Sequence, residues 1–160
     1  MNKAEIYDFL NNEGISYEVT EHKAVLNMEQ LNQVELPYPE ADAKNLFVRD
    51  EKKKNYYLIT VKGDKRVNLK EFRKTHGLKN LSFASEEDLM NILKLIPGAV
   101  TPLGLLNDTE NKVTFFLDSE FSGKIIGIHP NDNTATVWLK TSDLIKIIEK
   151  SGHKTTLANI

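Results

Sequence analysis

Leu95-Ile96-Pro97-Gly98-Ala99-Val100-Thr101-Pro102-Leu103-Gly104-Leu105 stands between a helix-like run and a strand-like one. Its first proline and last glycine enclose eight residues that hold two of each. Proline fixes φ, and glycine allows positive φ and close backbone approach. A surface turn would be more polar. This stretch reads either as a stiff apolar wall offering backbone N–H groups to a small ligand, or as a connection buried under a helix. The runs on either side of it decide the fold class.

Upstream, Ser85 with Asp88 marks a helix start, and Leu89, Ile92, Leu93 and Ile96 form an apolar stripe that delivers the loop. Downstream come three strand-like runs, Val113 to Leu117, Lys124 to Ile128 and Ala135 to Leu139. A last helix carries Leu144, Ile145 and Ile148, capped by Thr141 or Ser142 and stopped by Gly152. Before the loop, Lys3 to Glu13 is a short amphipathic helix stopped by Gly14, and Ile15 to Thr20 alternates as a half-buried strand does. Asn27 with Gln30 suggests a second short helix. Lys44 to Asp50 and Tyr56 to Val61 make a hairpin, Asn68 to Gly77 a third helix, and Leu81 to Ala84 an extended piece. Helices and strands do not alternate strictly. The expected class is therefore α+β, with a mixed or antiparallel sheet in one domain spanning residues 1–160.

Composition narrows the function. The chain is 160 residues long, 40% hydrophobic and 28% charged, which suits one soluble globular core. It has no cysteine, so disulfides, zinc-thiolate sites and thiol catalysis are excluded. Met1 to Glu5 has no apolar segment behind it, and no apolar run approaches membrane-spanning length. A cytoplasmic protein with no membrane partner is expected. The four histidines are not at metal-ligand spacing, so no metal site is expected. A Ser/His/Asp triad stays open, because triads assemble in space. Net charge is −2, yet the segment from Arg49 to Lys79 holds eleven Lys/Arg against four Asp/Glu. That segment is either a phosphate-binding patch or a set of solvated faces.

Three features stand out as candidates for chemistry. Lys44 opens an apolar strand after a Pro-rich loop, His129 sits at a strand end before Pro130, and Gly98 lies in the rigid loop. Taken singly, a strand-end lysine commonly snorkels to solvent, and a histidine of this kind is commonly structural.

Several short motifs then recur in order: Lys44-Asn45-Leu46-Phe47-Val48-Arg49-Asp50, Leu81-Ser82-Phe83-Ala84-Ser85, Pro97 to Leu105, Asn107-Asp108 and Ile128-His129-Pro130-Asn131. With these motifs the chain resembles the YbaK/ProX family of aminoacyl-tRNA deacylases, above all its free-standing prolyl-tRNA editing members. The resemblance runs from about Ile6 to His153. It departs from the family pattern at Leu36 to Asp42. It implies a barrel-like mixed sheet surrounded by helices, and a trans-editing hydrolase that clears mischarged tRNA, alanyl-tRNA(Pro) first. Deacylation of Cys-tRNA or Ser-tRNA, or a non-catalytic tRNA- or synthetase-binding module, are the alternatives.

The same resemblance implies roles for residues. Lys44, Gly98 and His129 would be catalytic. Lys44 would hold the terminal phosphate or the carbonyl region, Gly98 would offer an oxyanion donor, and His129 would bond the terminal ribose. Asn45, Ala99, Val100, Thr101 and Pro102 would contact the substrate. Lys52, Lys53, Lys54, Lys65 and Arg66 would hold tRNA phosphates. The partners implied are the tRNA(Pro) acceptor end and a prolyl-tRNA synthetase. No cofactor is implied, since water can attack an already activated ester.

Overall fold

A computed structural model of the chain describes residues 1–24, 28–31 and 35–160. In chain order its elements are α1 (Lys3–Asn12), β1 (Tyr17–Glu21), α2 (Met28–Leu31), β2 (Ala43–Asp50), β3 (Tyr56–Lys62), α3 (Leu69–His76) and β4 (Leu81–Phe83). There follow α4 (Glu86–Leu93), β5 (Val113–Asp118), β6 (Ile125–Ile128), β7 (Ala135–Lys140), α5 (Thr141–Lys150) and β8 (Thr155–Ala158). Asn27, expected to cap α2, lies outside the described residues.

The strands form two sheets. One is antiparallel, in the order β1-β7-β6, and the other is mixed, in the order β4-β2-β3-β5-β8. In the mixed sheet β2 is antiparallel to β3 and β4, whereas β3-β5 and β5-β8 are parallel. A parallel bridge between Asp42 and Gly127 joins the sheets. The α+β class with a mixed sheet is thus as expected, with the barrel left open as two sheets that meet at one edge.

The mixed sheet is covered on both faces, which explains the unbroken apolar run of β3. Leu58 packs with Ile6, Leu10, Phe47, Leu93, Leu103 and Phe115 in the main core. Ile59 and Val61 pack with Val48, Phe72 and Phe116 in a smaller core beneath α3. A strand buried on both faces loses polar alternation.

Local signals account for most boundaries. Asn2 and Glu5 form a reciprocal capping box at α1. The Asn68 side chain accepts from the Lys70 and Glu71 amides, and Gly77 ends α3 at φ 65°. Two expectations need correction. Ile96 does not belong to the apolar stripe of α4. The helix stops at Lys94, which is left-handed at φ 58°, and Ile96 is 54% exposed. Pro97 disfavours helical backbone at the residue before it, and Leu95 is buried in its place. Nor does Thr141 or Ser142 cap α5. Lys140 occupies the cap position without a side-chain bond. The Thr141 amide instead donates to the Lys124 carbonyl (3.0 Å), so pairing beside β6 and β7 carries straight into the helix.

At the joint, Gly127 pairs with Trp138 across the β6-β7 ladder. A Cβ on Gly127 would lie 2.2 Å from Trp138 Cζ3. The ring cannot easily retreat. It is 2% exposed, its Nε1 donates to Thr20 Oγ1 (2.9 Å), and Tyr38 packs edge-on against it. Gly127→Ala is expected to destabilise the protein by about 3 kcal/mol, the upper end for overpacking. Urea denaturation checks this, and an unchanged midpoint would mean that the indole moves aside at no cost.

Candidate active site

The bridge between the sheets leaves a narrow cleft beside it, lined by Asp42, Ala43, Asn45, Gly127, Ile128, His129 and Thr136. The space is on the scale of one water molecule. Two strand ends deliver the side chains. β2 contributes Asn45 by alternation: Ala43, Asn45 and Phe47 take one face, while Lys44, Leu46 and Val48 take the other. The turn after β6 contributes His129.

Each polar group in the cleft is oriented from behind. His129 Nδ1 lies 2.8 Å from the Ala135 carbonyl. A carbonyl only accepts, so Nδ1 carries the proton and Nε2 keeps its lone pair. Burial holds the imidazole below its ordinary pKa and His22 adds to the shift, against the opposing Ala135 carbonyl and Asp132 carboxylate. His129 is therefore a neutral acceptor at neutral pH. Asn45 Oδ1 accepts from Thr60 Oγ1 (2.6 Å), which turns its NH2 into the available donor. His22 packs edge-on against His129 with ring centroids 5.9 Å apart, and its Nε2 lies 3.0 Å from Thr136 Oγ1. Asp42 is 6% exposed, and burial raises its pKa to about 7, the Ala43 amide opposing.

The expected residues separate into groups. Asn45 and His129 come together in the cleft. Lys44 takes the opposite face of β2, where Nζ donates to the Lys65 carbonyl. Burial and the nearby Arg66 charge lower the Lys44 pKa, and Asp64 opposes them. Gly98 sits half-exposed at φ 89° in a turn closed by the Ala99 amide and the Ile96 carbonyl (3.1 Å). The loop contributes none of the cleft's lining. Ala99, Thr101 and Pro102 are buried, and Val100 is half-buried. From Pro102 the chain enters a 3-10 helix, Pro102–Asn107.

The basic residues divide as well. Lys52, Lys53 and Lys54 are exposed at the tip of the β2-β3 hairpin, roughly 20 Å along the strand from Asn45 at ~3.3 Å per residue. Lys65 is turned inward. Burial disfavours its charge, but ion pairs with the buried Asp118 (2.8 Å) and with Glu120 outweigh that and raise its pKa. Arg66 stays exposed beside Lys44.

Sequence reasoning did not single out Asp42, Thr136 or His22. No motif marks them, and only the pairing of β1 with β7 brings His22 near Thr136. A Ser/His/Asp arrangement does occur, with Ser151 Oγ 3.1 Å from His153 Nδ1 and His153 Nε2 2.9 Å from Asp108 Oδ2. It is a structural clasp: the Ser151 hydroxyl donates to the Ile148 carbonyl (2.6 Å), so its proton is not directed at the imidazole. Among the described residues, no group of three or more His, Asp or Glu is placed to hold a metal ion, and no helix is long and apolar enough to cross a membrane.

The family described as the aminoacyl-tRNA editing domain matches residues 22–147. The chain is 39% identical over 140 residues to the prolyl-tRNA editing protein ProX of Acetoanaerobium sticklandii, covering 87% of this chain and 85% of that protein. It is 36% identical over 162 residues to prolyl-tRNA synthetase associated domain-containing protein 1 of Mus musculus, covering 98% and 95%. A solved structure described as a candidate trans-editing enzyme for prolyl tRNA synthetase superposes with a TM-score of 0.69 at 20% identity, covering 98% of this chain and 96% of that one, which shows a shared fold. The chain belongs to the aminoacyl-tRNA editing (YbaK/ProX) family, and its chemical class is that of an aminoacyl-tRNA deacylase.

Proposed function

We propose that the protein acts in trans on mischarged tRNA(Pro), hydrolysing alanyl-tRNA(Pro) to alanine and free tRNA. The observation that carries this reading is the narrow cleft between the Asn45 amide and the neutral His129 imidazole. Its two available groups, a donor and an acceptor, suit a terminal ribose and the ester attached to it. His129 Nε2 accepts from a ribose hydroxyl, and Asn45 NH2 donates to an ester or ribose oxygen. Water attacks the ester carbonyl, and the ribose oxygen leaves with a proton. The Gly98 amide lies outside the cleft lining, in a backbone conformation suited to glycine, and is proposed as the oxyanion donor on the strength of the family resemblance. Such a donor contributes on the order of 10²–10³ in rate. Lys44 and Arg66 lie next to the cleft strand on its other face and are proposed to hold the terminal phosphate. Ile96 and Pro97 are the exposed residues of the loop, with Gly98 and Val100 half-buried beside them and Ala99, Thr101 and Pro102 buried behind. All 160 residues serve as one editing domain in the cytoplasm, with the tRNA(Pro) acceptor end and a prolyl-tRNA synthetase as partners.

Size decides selectivity. Proline exceeds alanine by about two methylenes, each worth ~1–3 kcal/mol in an attractive pocket, and attraction would favour the wrong substrate. The cleft is narrow, and a site that opens far enough for the alanine methyl but not for a pyrrolidine ring rejects proline by exclusion. One tRNA(Pro) charged in turn with alanine, serine and proline should therefore be cleaved fast, more slowly and about 100-fold more slowly, respectively. Serine is slowed because its hydroxyl is desolvated without an assured partner. Cleavage of prolyl-tRNA at the alanyl rate would overturn exclusion. Faster cleavage of serine would favour the Ser-tRNA reading.

A further inference from the structure

Among the described residues Asp42 is the one carboxyl group in the cleft lining, and its backbone is tied on both sides. Its amide donates to the Pro39 carbonyl (3.4 Å), its carbonyl accepts from the Gly63 amide (2.9 Å), and its backbone forms the bridge to Gly127 that joins the two sheets. The side chain is buried, yet the influences on its carboxyl are burial and the Ala43 amide alone. No Lys, Arg or His among the described residues pairs with it. The other polar lining groups, Asn45, His129 and Thr136, bring no positive charge: an amide, an imidazole that burial keeps neutral, and a hydroxyl. A buried carboxylate without a cation is costly, and the cost is relieved when a cation arrives. A carboxyl that the protein leaves without a cation inside its own cleft is therefore a statement about the ligand.

We propose that Asp42 receives the α-ammonium group of the aminoacyl moiety, so that the cleft selects an ester carrying a free amine. The inference rests on the alanyl-tRNA(Pro) reading above and deepens it. The ammonium is the only cation near the scissile bond of such a substrate, and it lies two bonds from the carbonyl carbon. Anchoring it beside the bridge places the carbonyl between Asn45 and His129, and the side chain then points along whatever room remains. Charge-assisted N–H···O bonds in a desolvated site are the strong kind. An Asp42 whose pKa is already raised gains most from that partner, since the ammonium favours the ionised form.

The test uses the full-length protein and two substrates, alanyl-tRNA(Pro) and the same tRNA bearing N-acetylalanine, which has no cation. Wild type should prefer the free amine by about 100-fold in kcat/KM, and Asp42→Asn should reduce that preference to within a few-fold of one. Loss of both activities in equal proportion, with the preference intact, would make Asp42 a proton acceptor for water and overturn the proposal. So would a wild type that does not distinguish the two substrates. A wild type that cleaves neither would instead defeat the alanyl-tRNA(Pro) reading itself. Asp42→Asn is close to isosteric and removes a buried charge, so its melting temperature at pH 8 should equal or exceed that of wild type. A measurement independent of any variant is direct binding to wild type of 3′-alanylamido-3′-deoxyadenosine and its N-acetyl form. The free amine should bind at least 10-fold tighter, and equal affinity would overturn the assignment.

Discussion

Lys44→Ala should lower kcat/KM for alanyl-tRNA(Pro) by about 100-fold and leave the protein folded. The magnitude follows from the contact proposed. A hydrogen bond to a charged group is worth ~1.5–3 kcal/mol, and 1.4 kcal/mol is tenfold, so the upper end gives about two orders of magnitude. The structural loss is smaller. Lys44 gives up a single bond to the Lys65 carbonyl at a partly exposed position, about 1 kcal/mol. Burial first, and the Arg66 charge second, lower the Lys44 pKa, and an arriving phosphate offsets both. Arg66→Ala should then weaken substrate binding in the same direction by a smaller factor. Steady-state kinetics with both variants decide the matter. Full activity in a folded Lys44→Ala would return this lysine to the role of a snorkelling strand end.

Asp108→Ala should cost about 3–5 kcal/mol of stability, because it leaves three buried donors without an acceptor at ~1–3 kcal/mol each. Asp108 is 4% exposed and His153 3% exposed. Its carboxylate accepts from the Lys112 amide (3.1 Å), the Val113 amide (2.9 Å) and His153 Nε2 (2.9 Å). Removing it strands three donors at once and loosens the junction of the 3-10 helix, the start of β5 and the end of α5. For a domain of this size the melting temperature should fall by roughly 10 °C. Glu110 provides the contrast. Its ion pair with Lys112 (3.2 Å) is exposed on both sides, and Glu110→Ala should change stability by less than about 0.5 kcal/mol. Equal effects from the two would show that the clasp is not a focus of stability.

What was legible in the sequence was largely local. Asn68 and Gly77 bounded α3 correctly, because a cap and a left-handed stop are properties of a few neighbouring residues. The β2-β3 hairpin and the runs of β5, β6 and β7 were legible for the same reason. β8 was not anticipated: four residues, Thr155 to Ala158, carry too little periodicity, and the strand exists because β5 offers it an edge. The loop at Leu95 to Leu105 is apolar as read, but the burial of its second half comes from α4 and α5 packing against it. In the cleft, Asn45 and His129 were legible through family motifs. Asp42 was not, since a lone aspartate after a Pro-rich loop looks like any surface acid. Its character comes from a bridge to Gly127, eighty-five positions away.

That same joint sets the order in which the molecule can be made. β1 is synthesised early, yet its partner is β7, with Tyr17 opposite Leu139. On a ribosome adding about 5–20 residues per second, the first strand waits on the order of 10 s for an edge to pair with. Until then the β2-β3 hairpin can form, but the bridge from Asp42 to Gly127 cannot, and nothing resembling the cleft exists. With the cleft as the proposed editing site, a nascent or prematurely terminated chain is expected to be unable to strip amino acids from tRNA until nearly the whole protein has been translated.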